Sequence, residues 1–225
     1  MKRIFLATAL SLCVSSAFAA GSAVLKVTGT LTNAACTPEL SNGGVVDYGT
    51  ISLGDLSATE VNQLGHKNID FSITCSAATK VSWNMVDDKA DTRAGIFVSQ
   101  RDFVGDSGVP ANSQAYGVGL TNDGVKIGNY TMFVNVDSVT ADGKSVDLIY
   151  VQTGSGNTNW AKLATGKTQG ENYRDITVAS TGALEPLAFQ TATFPLTTSL
   201  AIESTDKLAI TDDTKLNGQL TISLR

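Results

Sequence analysis

The sequence predicts an all-β protein built as an antiparallel β-sandwich. Short runs in which apolar and polar residues alternate recur along the chain, and clusters of Gly, Asn and Asp separate them. No segment keeps the i, i+3, i+4, i+7 apolar stripe of a long helix. Many short strands within about 200 residues are typical of a two-sheet sandwich. Because no linker run or internal repeat interrupts the pattern, we expect a single domain.

The first nineteen residues are typical of a secretory signal peptide. Met1-Lys2-Arg3 is basic, residues 4–14 are largely apolar, and Ala17-Phe18-Ala19 is a small-x-small cleavage site. The apolar run is too short for an uncleaved membrane anchor. We therefore expect residues 1–19 to be removed and the exported chain to start at Ala20.

The strand predictions rest on alternation. Ile69, Phe71, Ile73 and Cys75 alternate with polar residues, which is the pattern of a strand with one buried face. The candidate strands, in chain order, are GVVDYGTISL (44–53), IDFSITC (69–75), VSWNM (81–85), AGIFVSQ (94–100), YGVGL (116–120), NYTMFVNVDSV (129–139), SVDLIYVQT (145–153), YRDITVAS (173–180), FPLTTSLAIES (194–204), DKLAITD (206–212) and GQLTISLR (218–225).

Two cysteines remain once Cys13 leaves with the signal. Cys36 and Cys75 form an even pair in an exported chain, and one disulfide is the simplest interpretation. The loop of 40 residues that it closes is worth roughly 4 kcal/mol in the chain-entropy model. Redox exchange would need a C-x-x-C motif, and His66 alone is too few for an ordinary zinc site. We therefore treat the pair as structural.

Composition argues against nucleic acid as a partner and against catalysis. Loss of Lys2 and Arg3 leaves 14 of 16 basic residues against 21 acidic ones, a net charge near −7, without a basic patch. The stretch AKLATGKT ends like a phosphate loop, but Ala161 replaces its first glycine. His66, the only histidine, lies in a polar stretch that suggests a surface loop. We expect neither an enzyme, nor a cofactor, nor a metal site.

The stretch AVLKVTGTLTNAAC, residues 23–36, lies close to the start of the exported chain. Its alternating positions share one face of a strand, and one of them has no side chain. Those positions are Ala23, Leu25, Val27, Gly29 and Leu31. An apolar strand at a chain terminus, where disorder is common, suggests that it serves another molecule.

Several motifs together resemble the pilin subunits of chaperone-usher fimbriae. They are the signal peptide, the N-terminal extension with its glycine, NAAC, VDYGTISL, IDFSITC and the terminal GQLTISLR. The resemblance is strong over residues 20–76, weak through the middle and moderate at the end. The chain carries extra length between about residues 85 and 190, and Leu224 stands where the family usually has an aromatic residue. It is therefore similar to a divergent, longer member.

The resemblance implies an incomplete immunoglobulin-like sandwich that is completed by donor-strand complementation. Residues 20–35 would be the donor extension, and residues 36–225 one pilin-like domain. Ala23, Leu25, Val27 and Leu31 would fill pockets of a neighbouring subunit, and Gly29 would lie where the groove is tight. Leu220, Ile222 and Leu224 would line the receiving groove and form the edge that a chaperone binds. The family also pairs Cys36 with Cys75.

The implied partners are neighbouring fimbrial subunits, a periplasmic chaperone and an outer-membrane usher. The implied location is a cell-surface fimbria reached through the periplasm, with a structural role that supports adhesion. The resemblance leaves a host surface ligand open. The alternative is an autonomous secreted or periplasmic β-sandwich that binds a ligand, and a periplasmic hydrolase is a third hypothesis. A complete sandwich would be stable without residues 20–35, whereas a pilin-like subunit would need a donor strand.

Overall fold

The computed structural model describes residues 35–156 and 158–225, and this part of the chain forms an all-β sandwich of two antiparallel sheets. The strands are β1 (Cys36–Leu40), β2 (Asn62–Thr79), β3 (Trp83–Asp87), β4 (Tyr116–Gly117), β5 (Gly128–Val134), β6 (Thr140–Ala141), β7 (Lys144–Ser145), β8 (Asp147–Gln152), β9 (Ala161–Lys162), β10 (Arg174–Ala179), β11 (Phe189–Ile202) and β12 (Leu220–Leu224). One α-helical turn, α1 (Thr205–Leu208), and 3-10 turns at Ser41–Gly44, Leu53–Asp55, Ala90–Thr92, Asn112–Gln114, Val136–Ser138 and Thr153–Ser155 join them.

The first sheet has the strand order β1-β2-β11-β5-β4, with β6 on β11 and β7 on β6. The second sheet has the order β12-β3-β10-β8-β9. The edge strand β1 pairs with β2, and the edge strand β12 pairs with β3. The chain therefore places its first and last described strands at edges of different sheets.

The core lies between the sheets, and the alternating residues build it as their pattern predicts. Phe71, Trp83 and Phe194 are fully buried, and the Trp83 ring centroid lies 5.2 Å from that of Phe71 and 5.5 Å from that of Phe194. Edge-to-face contacts of this kind add to the burial energy of each ring. Ile73 and Met85, predicted to point inward, are buried beside them.

The disulfide prediction is confirmed. Cys36 and Cys75 are bonded, and they are direct partners in the β1–β2 register. The bond thus fixes the edge strand β1 to the longest strand of its sheet at the point where the described chain begins.

Three strand predictions are wrong, and local geometry explains each one. Residues 44–53 form no ladder, because Gly44 and Gly49 have positive φ angles of 79° and 74°. Residues 206–212 begin in α1, which ends at Ala209 in the left-handed conformation, so the alternation there is accidental. Residues 94–100 make one isolated bridge, Val98 to Gly108. His66 lies exposed within β2 rather than in a loop.

Candidate functional site: an apolar groove between two sheet edges

An open apolar groove runs between the two sheets on the side of β1 and β12. Its volume is about 890 Å³, and its lining is mostly aliphatic. The floor comes from inward-facing residues of β2, β5 and β11, namely Ile69, Met132, Leu196, Thr198, Leu200 and Ile202. These floor residues are buried, and the groove above them opens to solvent along one side of the sandwich.

The first wall is the segment that follows β1, residues 44–51, which we call the unpaired wall. Val46, Tyr48 and Ile51 are half-buried and line the groove, whereas Val45 and Asp47 are exposed. Within the described chain this segment belongs to no sheet. The Tyr48 hydroxyl bonds to the floor at Thr198, 3.1 Å from its carbonyl oxygen and 3.0 Å from its Oγ1.

The second wall is β12. Leu220, Ile222 and Leu224 are half-buried and pack against the core, while Thr221 and Ser223 are exposed. Leu220 and Ile222 line the groove; Leu224 lies on the same face of the strand but contributes only to the core contact. Because β12 pairs with β3 on one side, alternate main-chain groups on its other side face away from the sheet.

The mouth of the groove carries acidic residues. Asp47, Asp212 and Asp213 lie there with Lys215, and all four are exposed. The segment between α1 and β12 forms this rim, and the Asn217 amide donates to the Val118 carbonyl at 2.7 Å. The rim is polar and the floor apolar, which is the arrangement of a binding groove rather than of a gap in packing.

Two stacked tyrosines close one end of the groove. The Tyr130 ring lines the groove and stacks on the Tyr116 ring, with centroids 5.1 Å apart. The Tyr116 hydroxyl is 2.7 Å from Thr168 Oγ1. Burial raises the pKa of both phenols well above the usual value, with a smaller lowering from Thr168 at Tyr116. Both side chains are therefore neutral at physiological pH.

The described chain begins at the other end of β1 from the groove. The Ala35 amide donates to Ser76 Oγ at 3.2 Å, and the Ser76 amide donates to the Ala35 carbonyl at 2.9 Å. These bonds continue the β1–β2 ladder one step beyond Cys36, whereas Leu40, at the far end of β1, lines the groove. The predicted donor residues Ala23, Leu25, Val27, Gly29 and Leu31 lie outside the described residues, as does the predicted signal peptide.

Metal clusters and membrane-spanning helices are absent from the described residues. Residues 35–156 and 158–225 hold no group of three or more His, Cys, Asp or Glu placed to bind a metal ion. In this part of the chain, no helix is long and apolar enough to cross a membrane. Asn129, the first residue of a glycosylation sequon, is fully buried in β5.

Sequence reasoning missed two parts of the groove. It treated residues 44–53 as a paired strand, although the glycines at 44 and 49 were a signal against that interpretation. It also missed the Tyr48–Thr198 contact, which joins residues 150 positions apart and which no local pattern could reveal. The rim at residues 210–219 was predicted in part as a strand.

Comparison with known proteins gives the chain a family. The family model described as "Protein of unknown function (DUF1120)" matches residues 25–131. "Protein GltF" of Escherichia coli K12 is 30% identical to the chain over 96% of the chain and 94% of the relative. "Uncharacterized protein YhcF" of the same organism is 29% identical over 93% of the chain and 92% of the relative. The match to GltF runs almost end to end, so the chain belongs to the same family as GltF.

Proposed function

We propose that the chain is a structural subunit of a chaperone-usher type fimbria that polymerises by donor-strand exchange and supports surface adhesion. The observation that carries the proposal is the open groove between the unpaired wall and β12. A groove with an apolar floor, beside a strand edge that is unpaired within the described residues, fits an added strand, which gains main-chain bonds and places alternate side chains in pockets.

The occupant we propose is residues 20–35 of a second copy. Their apolar face, Ala23, Leu25, Val27 and Leu31, matches the aliphatic floor. Each fully buried large side chain would contribute about 1.5–3 kcal/mol. Ala35 continues the β1 ladder away from the groove, which favours delivery of this segment to a neighbour.

The same features support the proposed chaperone and usher. Before assembly the groove exposes apolar surface and the open edge of β12, and both are aggregation liabilities. A periplasmic chaperone would cover this surface, and an usher would exchange it for the next subunit's donor. We place the assembled protein in a cell-surface fimbria.

One observation favours a second candidate function, that of an autonomous binding module. A groove of about 890 Å³ falls within the size range of small-molecule pockets. An apolar ligand could fill it in a subunit that never polymerises. The two functions differ in whether residues 20–35 are needed to form an assembly.

The donor residues supply the test. Gly29→Val and Leu25→Asp should leave soluble periplasmic subunit at the wild-type level but abolish SDS-resistant ladders in surface-sheared material. The matched control is Thr28→Val, which changes the opposite face of the same segment. The binding-module alternative is favoured if wild-type protein purifies as a monomer that never forms ladders. Loss of soluble subunit in the two variants would mean that the segment belongs to its own fold.

A further inference from the structure

The unpaired wall is anchored at its two ends and at one point between them. Before it, Ser41 Oγ accepts from the Asp70 amide at 2.9 Å. After it, the Ser57 amide donates to Asn62 Oδ1 at 2.7 Å. Between these anchors, within the described chain, Tyr48 makes the only hydrogen bonds to the sheet, at Thr198. Val46 also packs against the core, so Tyr48 is not the wall's only contact with it, but within the described residues Tyr48 is the wall's hydrogen-bonded attachment to the sheet.

Closure of an empty apolar groove is favoured by the hydrophobic effect. Moving the wall onto the floor would remove apolar surface from water at about 25 cal/mol per Å². The Tyr48 ring stands between the two and packs against the apolar cluster that contains Leu200 and Leu208. Burial raises the pKa of Tyr48, so its hydroxyl remains a donor across physiological pH.

We propose that Tyr48 is a positioning residue, a strut whose hydroxyl bonds at Thr198 fix the unpaired wall in the open position, so that an incoming strand can enter. This inference rests on the proposed function, because the strand is residues 23–31 of a second copy. The strut acts only while the groove is empty. Once a donor strand is in place, its own main-chain bonds and side chains hold the wall.

Tyr48→Phe isolates the strut's fixing bonds. The ring stays, so packing is kept, while the hydroxyl bonds to Thr198 are lost. Thr198 is not left without a partner, because its Oγ1 also lies 3.3 Å from the Lys67 carbonyl oxygen. The matched control is Tyr150→Phe on β8, where the ring lies under the Arg174 guanidinium at 4.2 Å and outside the groove.

The experiment uses the full exported chain and a fluorescent synthetic peptide of residues 21–34 in excess. We measure the rate of peptide uptake and the melting temperature of the filled complex. Tyr48→Phe should take up peptide about tenfold more slowly, the factor that one lost hydrogen bond corresponds to, with the melting of the filled complex unchanged. Tyr150→Phe should match wild type in both measurements.

Two results would contradict the proposal that Tyr48 acts as a strut. One is uptake by Tyr48→Phe at the rate of Tyr150→Phe. The other is a fall in complex melting that accompanies slower uptake, which would give Tyr48 an ordinary packing role. Failure of wild-type protein to take up the peptide would instead overturn the proposed function, and the strut with it. A peptide with Leu25→Asp and Val27→Asp is the specificity control.

Discussion

Two segments run along opposite sides of the sandwich, and only one of them closes it. Residues 161–168 join the sheets: the Leu163 amide donates to the Leu148 carbonyl, and the Val134 amide donates to the Gly166 carbonyl, both at 2.9 Å. Residues 44–51 lie on the side of the sandwich that carries β1 and β12, facing β12 across the groove, but make no such ladder. The first segment bridges the two sheets as a short strand would. The second segment leaves a gap between the sheets that a strand could fill.

The two sides differ in how far their edge strands could pair with another chain. On the closed side the edge strands β4 and β9 have two residues each, too short to recruit another chain. On the open side β12 has five residues with an apolar inner face. A protein that needed only to remain monomeric would gain by closing both sides, so the open side is where interaction is expected.

The largest effect is expected on the open side, from Ile222→Asp. The Ile222 side chain lines the groove and packs on the core, so the substitution would bury a charge without a partner. We expect no soluble protein to accumulate. The yield of soluble protein and its thermal melting check this, with Ser223→Asp, on the exposed face of the same strand, as the matched control. Equal yields would show that the inner face of β12 is solvent-facing.

The second effect concerns the anchor of the open side. The Cys36–Cys75 bond fixes β1, which among the described strands pairs with β2 alone. Cys75→Ser should lower the free energy of unfolding by about 2–4 kcal/mol. Urea titration of the purified protein measures it, and the Cys36→Ser, Cys75→Ser double variant controls for the free thiol. An unfolding midpoint equal to that of wild type would contradict an anchoring role.

A matched pair of glycines compares the two sides directly. Gly166 has φ 64°, and a Cβ there would lie 2.1 Å from the Val134 carbonyl oxygen. Gly49 has φ 74° and open space around it. Gly166→Ala should cost about 2–4 kcal/mol through strain and displaced backbone, whereas Gly49→Ala should cost about 1–2 kcal/mol from its left-handed conformation alone. Equal losses in urea titrations would mean that the two segments are equally well packed.

The smallest effect is electrostatic and belongs to the closed side. Asp106 bonds to Arg101 at 2.5 Å and to Lys167 at 3.2 Å, and these partners, Arg101 first, lower the pKa of its carboxyl. A carboxyl whose pKa is lowered by folding stabilises the protein above its unfolded pKa of about 3.9 and loses this contribution as pH falls further. Asp106→Asn should melt slightly below wild type at pH 7, with the difference shrinking as the carboxyl of the wild-type protein becomes protonated at acid pH. A constant difference across this range would exclude the ionic contribution.

Strict alternation allowed several elements to be predicted from sequence. Alternate residues of a strand point to opposite faces, and only one face of each of these strands is buried. The inward positions that the spacing predicts are the ones the structure shows, namely Phe71 and Ile73 on β2, Trp83 and Met85 on β3, and Ile222 on β12. The disulfide followed from counting, since the predicted removal of residues 1–19 leaves only two cysteines. These features depend on short-range pattern and composition.

Long-range contacts decided which segments pair and which side of the sandwich stays open. The wall at residues 44–51 has the composition of a strand but forms none, because Gly44 and Gly49 take positive φ angles and no described strand lies along it. Residues 161–168 have no strand pattern beyond two residues, yet they close the opposite side through backbone bonds to β5 and β8. The sequence by itself determined which side chains face inward; only the tertiary structure decided which edges are paired, because pairing depends on which segments the folded chain brings side by side, from 15 residues apart at Leu148 and Leu163 to 141 apart at Trp83 and Leu224.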